Sequence, residues 1–486
     1  MKNLISFLFL ITIFLLPSCV EENISTDERL QLTFSCDTLF LDTLFAEQQS
    51  ATGRFLIYNE NKNALNISSI RMAGGSSSYF RFNVDGRIAG KGEALNDIVI
   101  KGRDSLFVFV EMTPPTTDNQ PYLVIFDSLI FECNNRLKDV KLMAVSSDAR
   151  ILRNQIYTTN ATIDSLRPNL VFNHIYVAEG AKLTITEGAK LYMHAGANII
   201  VDGTLECRGS FEHPVVIRGD RFDCINDVNQ TPYDQMPNQW GAIYLQNAQS
   251  QHIIENTHIR GASAGILLIG ANRSEPTLEL RNSVVHNSGA YGVYSQQGNL
   301  VVENSEISNC GESCIVQLGG SLRMAHTTIA NYYRYASRKN ASVRILNYVV
   351  QNGSSLYFPI SSAVIENSII FGSNSEELEL GHDTTSLADY NVLLSHTLIK
   401  GKQLETNNFV NCYWAKSRNV RNASDTVFVN TKIDNIAETG YFNFHLDSLS
   451  HARNLASIPV ANLYPLDLDG KDRNLDGNPD LGAYEW

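Results

Sequence analysis

The chain has 486 residues, of which 43% are hydrophobic and 18% charged, with a formal net charge of −13 and an isoelectric point near 5.3. This length predicts two or three domains, or one domain joined to an elongated repeat structure. The negative charge disfavours a nucleic-acid partner, because a phosphate backbone would be repelled and no cluster of basic residues in the sequence reverses the sign locally.

The N-terminal segment has the pattern of a secretory signal. One lysine in Met1–Asn3 precedes the apolar run Leu4–Leu16, which is too short for a membrane-spanning helix. Leu16-Pro17-Ser18-Cys19 resembles the bacterial lipobox, and the resemblance implies removal of residues 1–18 and attachment of lipid to Cys19. The alternative is an ordinary signal peptide followed by an incidental cysteine.

Residues 19–29 form a polar tether after the anchor. Glu21 and Glu22, close behind the lipidated cysteine, look like the surface-export signal of some Gram-negative lipoproteins. We therefore expect an outer-membrane lipoprotein, with display on the cell surface favoured over a periplasm-facing position. Each buried methylene of an acyl chain contributes roughly 0.8 kcal/mol, so a multiply acylated cysteine is an anchor that needs no second membrane segment.

Eight cysteines less Cys19 leave seven, an odd number that excludes a fully paired disulfide framework within one chain. Cys36 and Cys133 can pair if the first and last strands of the domain between them meet. Free buried thiols are favoured for Cys310 and Cys314, which fall within one repeat. The sequence has no C-x-x-C, which disfavours a structural zinc site.

Short β-type segments recur over residues 30–150, with separate strands expected at Tyr122–Phe126 and Ser128–Glu132. About eight strands in a stretch of this length predict an antiparallel β-sandwich. The runs Phe55–Ile70 and Asp104–Pro114 resemble the immunoglobulin-like domains of the abnormal-spindle and choice-of-anchor group. The resemblance implies a domain that presents or spaces other domains.

Residues 151–174 are expected to connect this domain to a repeat region at 175–440. Three-residue apolar segments such as Leu183–Ile185 alternate there with corners that contain Gly180, Gly188 or Gly203. The alternation, without a helical period, predicts stacked β-strand coils that bury their apolar residues against the neighbouring coils.

The start of this region carries a resemblance to a known family. Val177–Leu191, Val201–Leu205 and Pro214–Ile217 resemble the entry of right-handed parallel β-helix proteins of the pectin-lyase-like superfamily, and Trp240–Ile243 fits the same pattern. The resemblance implies an all-β protein, with a right-handed parallel β-helix solenoid preceded by an antiparallel immunoglobulin-like sandwich.

A repeated asparagine marks the second half of the region. Asn256, Asn282, Asn304 and Asn367 share the same apolar flanks, at spacings of 26, 22 and 63 residues, and the last spacing predicts about three turns of roughly 21 residues. Asparagine tolerates left-handed backbone and can bond the coils above and below, so we expect an asparagine ladder. The ladder is expected to break at His326.

Residues 441–486 are similar to the closing segment of many secreted β-helix proteins, which implies a cap that hides the unpaired strand edges at the end of the stack. Part of this segment matches the first half of a calcium loop, with oxygen-bearing side chains at alternate positions. These positions are Asp472, Asn474, Asp476, Asn478 and Asp480. Because Ala483 occupies the place of the closing glutamate, the alternative is an Asp-rich turn without a metal.

Aromatic residues and a cation cluster at Tyr332, Tyr333, Arg334 and Tyr335, which predicts sugar stacking or, alternatively, packing at a strand corner. No paired carboxylates or metal-binding histidine motif stand out as a catalytic site. The nearest candidates are loop residues that a solvated surface explains equally: Asp220, Asp223, His382, Asp383 and Asp389.

Three functions remain open from the sequence. The favoured one is a lipid-anchored protein that binds or displays glycans or other envelope components and has no catalysis of its own. The second is a polysaccharide lyase or glycoside hydrolase of the pectin-lyase-like type, in which Asp220 and Asp223 would be the residues to test. The third is a structural component of an envelope assembly, which requires a protein partner.

Overall fold

The computed structural model describes residues 23–116, 122–225, 231–270, 275–404, 406–415, 427–432 and 441–486. The chain divides into two compact units between Asp148 and Ala149. The segment Leu4–Leu16 and Cys19 lie outside the described residues. In the part of the chain that is described, no helix has the length and apolar character needed to cross a membrane.

The N-terminal unit contains two five-stranded sheets that share one apolar core. Its strands are β1 (Thr33–Phe34), β2 (Thr38–Phe45), β3 (Gly53–Asn59), β4 (Leu65–Met72), β5 (Phe80–Val84), β6 (Arg87–Ile88), β7 (Leu95–Ile100), β8 (Asp104–Met112), β9 (Tyr122–Cys133) and β10 (Arg136–Ser147). The sheet orders are β1-β3-β8-β5-β6 and β2-β10-β9-β4-β7, with a 3₁₀ turn at Gly75–Ser77.

These sheets confirm the antiparallel sandwich, with two corrections. The pairing of β2 with β10 is parallel. Tyr122–Phe126 and Ser128–Glu132 belong to the one strand β9, because all twelve residues of β9 pair with β10 without a break. Cys36 and Cys133 are both free thiols, so the disulfide considered between them is not formed.

The C-terminal unit is a right-handed parallel β-helix whose coils contribute strands to three faces. Face A contains β11 (Arg150–Tyr157), β13 (Asn169–Val177), β15 (Lys190–Met193), β18 (Val215–Gly219), β23 (Thr257–Arg260), β26 (Val284–Ser288), β29 (Glu306–Cys310), β32 (Thr328–Asn331), β37 (Ile369–Gly372), β40 (Leu398–Lys400) and β42 (Tyr413–Ala415). Face B contains the second halves of β11 and β13, then β16 (Asn198–Val201), β21 (Ile243–Leu245), β24 (Ile266–Ile269), β27 (Tyr291–Gln296), β30 (Ser313–Leu318), β33 (Val343–Leu346) and β38 (Leu378–Gly381).

Face C completes each coil. It contains β12 (Ala161–Ile163), β14 (Lys182–Thr186), β17 (Thr204–Arg208), β22 (His252–Glu255), β25 (Leu278–Arg281), β28 (Asn299–Glu303), β31 (Gly320–Ala325), β36 (Ile360–Glu366), β39 (Tyr390–Ser395) and β41 (Phe409–Val410). Outside the faces lie β19 (Cys224–Ile225), β20 (Thr231–Pro232), a 3₁₀ turn (Tyr233–Gln235), β34 (Tyr348–Gln351), β35 (Ser354–Tyr357), β43 (Phe428–Asn430), β44 (Asn443–Leu446) and the short helix α1 (Ile458–Ala461).

Inward-facing residues of the three faces form one continuous core. On face B, for example, Ile199, Ile243 and Ile266 pair in register and are completely buried. Each fully buried aliphatic side chain contributes about 2 kcal/mol before conformational entropy is subtracted. Cys310 and Cys314 belong to this core as free thiols, as the sequence predicts.

Glycine is required at the coil corners for two different reasons. Gly180 has φ +78° and Gly188 has φ +71°, a left-handed conformation that other residues rarely adopt. Gly203 is needed for a different reason, because a Cβ there would lie 2.1 Å from the carbonyl oxygen of Ala181 in the preceding coil.

The asparagine ladder forms at the corner between faces C and A, and it is longer than the sequence predicts. Seven residues on successive coils have φ between 43° and 51°. They are Asn256, Asn282, Asn304, His326, Asn367, His396 and Asn411. The expected break at His326 is therefore wrong, because this histidine adopts the same left-handed backbone as its neighbours.

The repeat region also differs from the sequence interpretation in its limits and count. The expected connector at 151–174 is already coiled, since β11 pairs in parallel with β13. Asn304 and Asn367 are two coils apart instead of three, because the second coil contains the loop 332–342 and the hairpin β34–β35. Strand β43 pairs antiparallel with β44, so this part of the expected repeat region at 175–440 does not form a coil.

The closing segment, residues 441–486, lies along the side of the coils. Asn367 accepts a hydrogen bond from Ser457 N at 2.7 Å and donates one to Ser457 O at 3.0 Å. Asn304 donates to Leu466 O, and Gly482 N donates to Asn367 O. These contacts place the segment on the ladder corner of several coils. The resemblance to the closing segment of secreted β-helix proteins predicted a position over the end of the stack, and this prediction is wrong.

Candidate functional site

The outward surface of face A changes character along the coils. Strand alternation turns the residues two and four positions after each ladder residue outward. In three consecutive coils these positions are mainly polar: His258, Arg260, Val284, His286, Glu306 and Ser308. In the following coils they become small or apolar, as at Ala330, Ile369 and Phe371.

The apolar part of this surface is covered by the hairpin β43–β44. Phe428, Phe444 and Leu446 pack there against Ala330 and Phe371 in a cluster separate from the main core. The hairpin therefore covers the apolar part of face A and ends at its boundary with the polar coils.

Between the hairpin and the polar coils lies a groove of about 560 Å³. Its floor includes His258, His286 and Glu306, and its wall includes Tyr441 and Phe442. A volume of this size lies in the range of small-molecule sites, and the combination of aromatic surface with a few convergent polar groups is typical of them. We call this cavity the groove.

Glu306 is held by a chain of hydrogen bonds at the groove floor. The Ser308 hydroxyl donates to Glu306 Oε1 at 2.5 Å and accepts from His286 Nδ1, which lies 2.6 Å away. Tyr484 of the closing segment donates its hydroxyl to Glu306 Oε2 at 2.6 Å. Burial is the main effect on the carboxyl group and raises the pKa of Glu306, while the two donors oppose the rise.

The two floor histidines are neutral at neutral pH. Burial lowers the pKa of His258 to about 4 and that of His286 to about 3, and the charge of Arg260 adds to both effects. Asp234 lies between two guanidinium groups, 3.0 Å from Arg260 and 3.1 Å from Arg218. The floor therefore offers neutral imidazoles beside a fixed cationic group.

His445 stands at the wall of the groove in a different electrostatic environment. Its Nε2 lies 2.5 Å from Asp469 Oδ2 and its Nδ1 lies 2.6 Å from Asn443 Oδ1. The Asp469 hydrogen bond, the largest effect, raises the pKa of His445. The ring also packs on Tyr484, with the centroids 4.1 Å apart, which links this wall to the residue that holds Glu306.

The aromatic cluster predicted from the sequence is divided by the structure. Tyr332 packs into the apolar cluster, with its ring stacked 6.0 Å from that of Phe444, so its face is used by the fold. Tyr333 and Tyr335 pack edge to face at 5.6 Å, with the Arg334 guanidinium 6.0 Å from the Tyr335 ring. Tyr335 donates its hydroxyl to the carbonyl of Gln235, a residue that lines the groove, and thereby supports the rim.

The predicted calcium loop uses its carboxylates in backbone hydrogen bonds. Asp472 accepts from Asn474 N, and Asp476 accepts from Asn478 N. Asp480 is buried and accepts from the backbone N–H groups of Asn454 and Trp486. Within the described ranges no group of three His, Cys, Asp or Glu side chains is placed to hold a metal. Calcium binding stays a prediction, and the hydrogen bonds by themselves explain the alternating pattern.

The loop residues considered for catalysis do not come together in the groove. Asp220 lies 2.6 Å from His194 Nδ1, and Asp223 pairs with Arg221. Asp383 accepts hydrogen bonds from the hydroxyls of Thr385 and Tyr357. His382 stacks on the ring of Tyr390 at 4.4 Å.

Sequence reasoning missed the groove, although part of its signal was present. Counting two and four residues after Asn256, Asn282 and Asn304 places the polar floor on one face. The wall and Tyr484 could not be placed in this way, because the closing segment reaches the floor through contacts between residues more than 150 positions apart.

Comparison with known proteins supports the fold over part of the chain. Residues 241–392 match the family described as "right handed beta helix region", a match that extends from β21 to the start of β39. No curated protein matches.

Three solved structures share limited likeness with the chain. A protein of unknown function from Porphyromonas gingivalis W83 is 15% identical, with TM-score 0.18, over 27% of this chain and 58% of that one. A family 123 glycoside hydrolase from Clostridium perfringens, studied for glycolipid glycan hydrolysis, is 8% identical, with TM-score 0.16, over 24% and 26%. The ASH/PapD-like domain 7 of human CEP192 is 6% identical, with TM-score 0.16, over 24% and 85%. The chain spans 58% and 26% of the first two, and scores this low support no conclusion about activity.

Proposed function

We propose that this protein is a lipid-anchored outer-membrane protein that binds carbohydrate in the groove and performs no chemistry on it. The observation that supports the proposal is the groove itself, in which Tyr441 and Phe442 stand beside the neutral imidazoles of His258 and His286. Aromatic faces stack on the apolar faces of sugar rings, while neutral polar groups accept and donate hydrogen bonds to hydroxyls.

The test compares two tyrosines of equal exposure. Tyr441 in the groove wall and Tyr79 in the N-terminal unit are each 47% exposed. Tyr441→Ala is expected to weaken binding to oligosaccharides identified on a glycan array by about tenfold, since an aromatic contact of about 1.4 kcal/mol corresponds to that factor. Tyr79→Ala is expected to leave binding unchanged. Equal affinities of the two variants, or a wild-type protein that binds no glycan, would overturn the proposal.

The proposed anchor is the lipid on Cys19, and the N-terminal unit, which resembles an immunoglobulin-like domain, would space the coils from the membrane. Cys19→Ala is expected to abolish incorporation of a labelled fatty acid and to release the protein from the membrane fraction. Protease treatment of intact cells then distinguishes surface display from a periplasm-facing position, because only a displayed protein is cleaved.

Glu306 favours a second candidate function, a polysaccharide lyase or glycoside hydrolase. A carboxyl group whose pKa is raised by burial keeps its proton to a higher pH than a solvated one and is therefore better suited to act as a general acid. If the groove is catalytic, oligosaccharide products should appear and Glu306→Gln, which keeps the hydrogen-bonding shape, should abolish them while binding is retained. Unchanged chain length of a bound glycan would support the binding function instead.

A further inference from the structure

The outward surface of face B carries a second regular feature. Residues that pair across consecutive coils alternate between aliphatic side chains and tyrosines, while their chain neighbours, such as Ile199 and Ile243, point into the core. In pairing order the row consists of Ile156, Tyr176, Ile200, Tyr244, Leu267 and Tyr294. We call it the tyrosine row.

The tyrosine row is partly open to solvent, most of all at the end farthest from the hairpin β34–β35. Ile156 is 55% exposed, and Tyr176, Tyr244 and Tyr294 are half-buried. In the next coil the row continues as Val316, which is only 1% exposed. Val316 packs there in a cluster with Val349 of β34 and with Phe358. Tyr294 also packs against this cluster, so the chain covers one end of the surface with its own hairpin and leaves Tyr176 and Tyr244 outside the covered part.

The spacing of the tyrosines is fixed by the fold. Neighbouring strands lie about 4.8 Å apart, so tyrosines on every second coil recur at roughly 10 Å along the coil axis. In an extended β-1,4-linked glycan each sugar is turned over relative to the previous one, and the same ring face therefore returns with every second sugar. A polymer with this two-unit repeat matches a surface that alternates between an aromatic and an aliphatic contact.

Polar groups run beside the tyrosine row. Tyr176 donates its hydroxyl to Asp202 at 2.5 Å, and the pairing of β21, β24 and β27 places Gln246, Ile269 and Gln296 next along the same line. The two glutamines can bond sugar hydroxyls, while the Asp202 carboxylate disfavours an anionic chain.

We propose that the tyrosine row is a second binding surface for an extended, neutral β-1,4-linked polysaccharide that lies along the coil axis. It takes its ligand class from the proposed function, but it occupies a different face from the groove and makes a separate prediction, which is that affinity grows with chain length.

The test uses titration calorimetry with cello-oligosaccharides and chito-oligosaccharides, from disaccharide to octasaccharide. The double variant Tyr176→Leu, Tyr244→Leu inserts the aliphatic residue that the fold already accepts at Leu267, so folding should be preserved; thermal unfolding verifies it. The wild type is expected to bind longer chains progressively more tightly. The double variant is expected to lose about tenfold in affinity per tyrosine for the longest chains and little for the disaccharide.

The groove variant Tyr441→Ala and the control Tyr79→Ala separate the two proposals. If only Tyr441→Ala weakens binding and the double variant keeps the dependence on length, the tyrosine row is not a glycan surface while the groove proposal stands. If the double variant loses the length dependence and Tyr441→Ala retains it, the tyrosine row is supported independently. If the wild type binds none of these chains, the inference is overturned.

Discussion

His326 Nε2 lies 2.9 Å from Asn367 Nδ2, at equivalent corners of adjacent coils. The amide of Asn367 donates this bond, so Nε2 accepts and the ring proton is on Nδ1, which lies 3.3 Å from the carbonyl of Gly482. One histidine thus connects two coils and the closing segment. The left-handed corner is consequently both a ladder within the β-helix and the seat of the C-terminal segment.

Substitution of His326 tests this double role. His326→Ala removes both hydrogen bonds and places alanine in a left-handed conformation, and we expect a loss of about 2–4 kcal/mol in the free energy of unfolding. His326→Asn keeps a side chain that tolerates this backbone, and about 1 kcal/mol or less should be lost. Urea unfolding followed by circular dichroism measures both, with exposed His213→Ala as the control. Equal losses in the two His326 variants would show that the imidazole, and not the backbone conformation, governs the corner.

The ladder also shows how far the sequence determines the fold. Asn256, Asn282 and Asn304 were identified because local apolar flanks and a local backbone preference coincide. The residue that follows each of them has a hydroxyl side chain, which is a further signal in the sequence. Ser283 and Ser305 are completely buried, and Ser283 N donates to Ser305 Oγ at 3.1 Å. The pair His326-Thr327 repeats this pattern and would have extended the ladder without a break.

Gly203 and Gly180 provide a matched test of the coil corners. Gly203→Ala would place a Cβ 2.1 Å from the Ala181 carbonyl oxygen, and relief requires a shift of the backbone. We expect a loss of several kcal/mol, as for an overpacked core site. At Gly180 nothing lies within 4 Å of an added Cβ, and Gly180→Ala should lose only about 1 kcal/mol from its left-handed conformation. Thermal unfolding of the two variants shows whether close packing or backbone preference matters more at the corners. A larger loss of stability in Gly180→Ala than in Gly203→Ala would contradict this account.

The attachment of the closing segment to the coils is expected to depend most on Arg473. Its guanidinium is buried, with Nη2 2.7 Å from Asn304 Oδ1 and Nη1 3.6 Å from Glu485. Arg473→Met leaves Glu485 and Asp480 without this buried cation, and a loss of about 3–5 kcal/mol should follow.

Limited proteolysis distinguishes local release from global unfolding in Arg473→Met. The closing segment is expected to be cleaved early, while the N-terminal unit stays resistant. Arg208→Met is the control, because Arg208 is exposed and pairs with Glu206 and Glu255 at 3.4 Å, where a loss of at most about 1 kcal/mol is expected. Similar protease sensitivity of the two variants would contradict the role of Arg473.

The groove could not be predicted as a whole because its parts come from distant regions of the sequence. The floor residues follow from strand alternation around Asn282 and Asn304. The contact of Tyr484 with Glu306 depends on where the closing segment crosses the coils, and a local pattern carries no information on that position. The same reasoning explains why the predicted cap is found along the side.

Acid should destabilise the protein through the groove floor. The pKa of His258 is about 4 and that of His286 about 3 in the folded state, both below the ordinary value of 6.5, so the unfolded chain takes up protons first as the pH falls. Stability is therefore lost from about pH 6.5 downward, by roughly 3 kcal/mol for His258 and roughly 4.5 kcal/mol for His286 once the folded pKa of each is reached. Glu306, whose pKa is raised, opposes this loss, whereas the contribution of His445 is already complete below about pH 6.5 and stays constant there. The free energy of unfolding, measured with urea between about pH 7 and pH 4, should fall less steeply with falling pH for His286→Gln than for the wild type. It should fall more steeply for Glu306→Gln. The same pH dependence of the free energy of unfolding in all three proteins would mean that the groove floor does not control the loss of stability in acid.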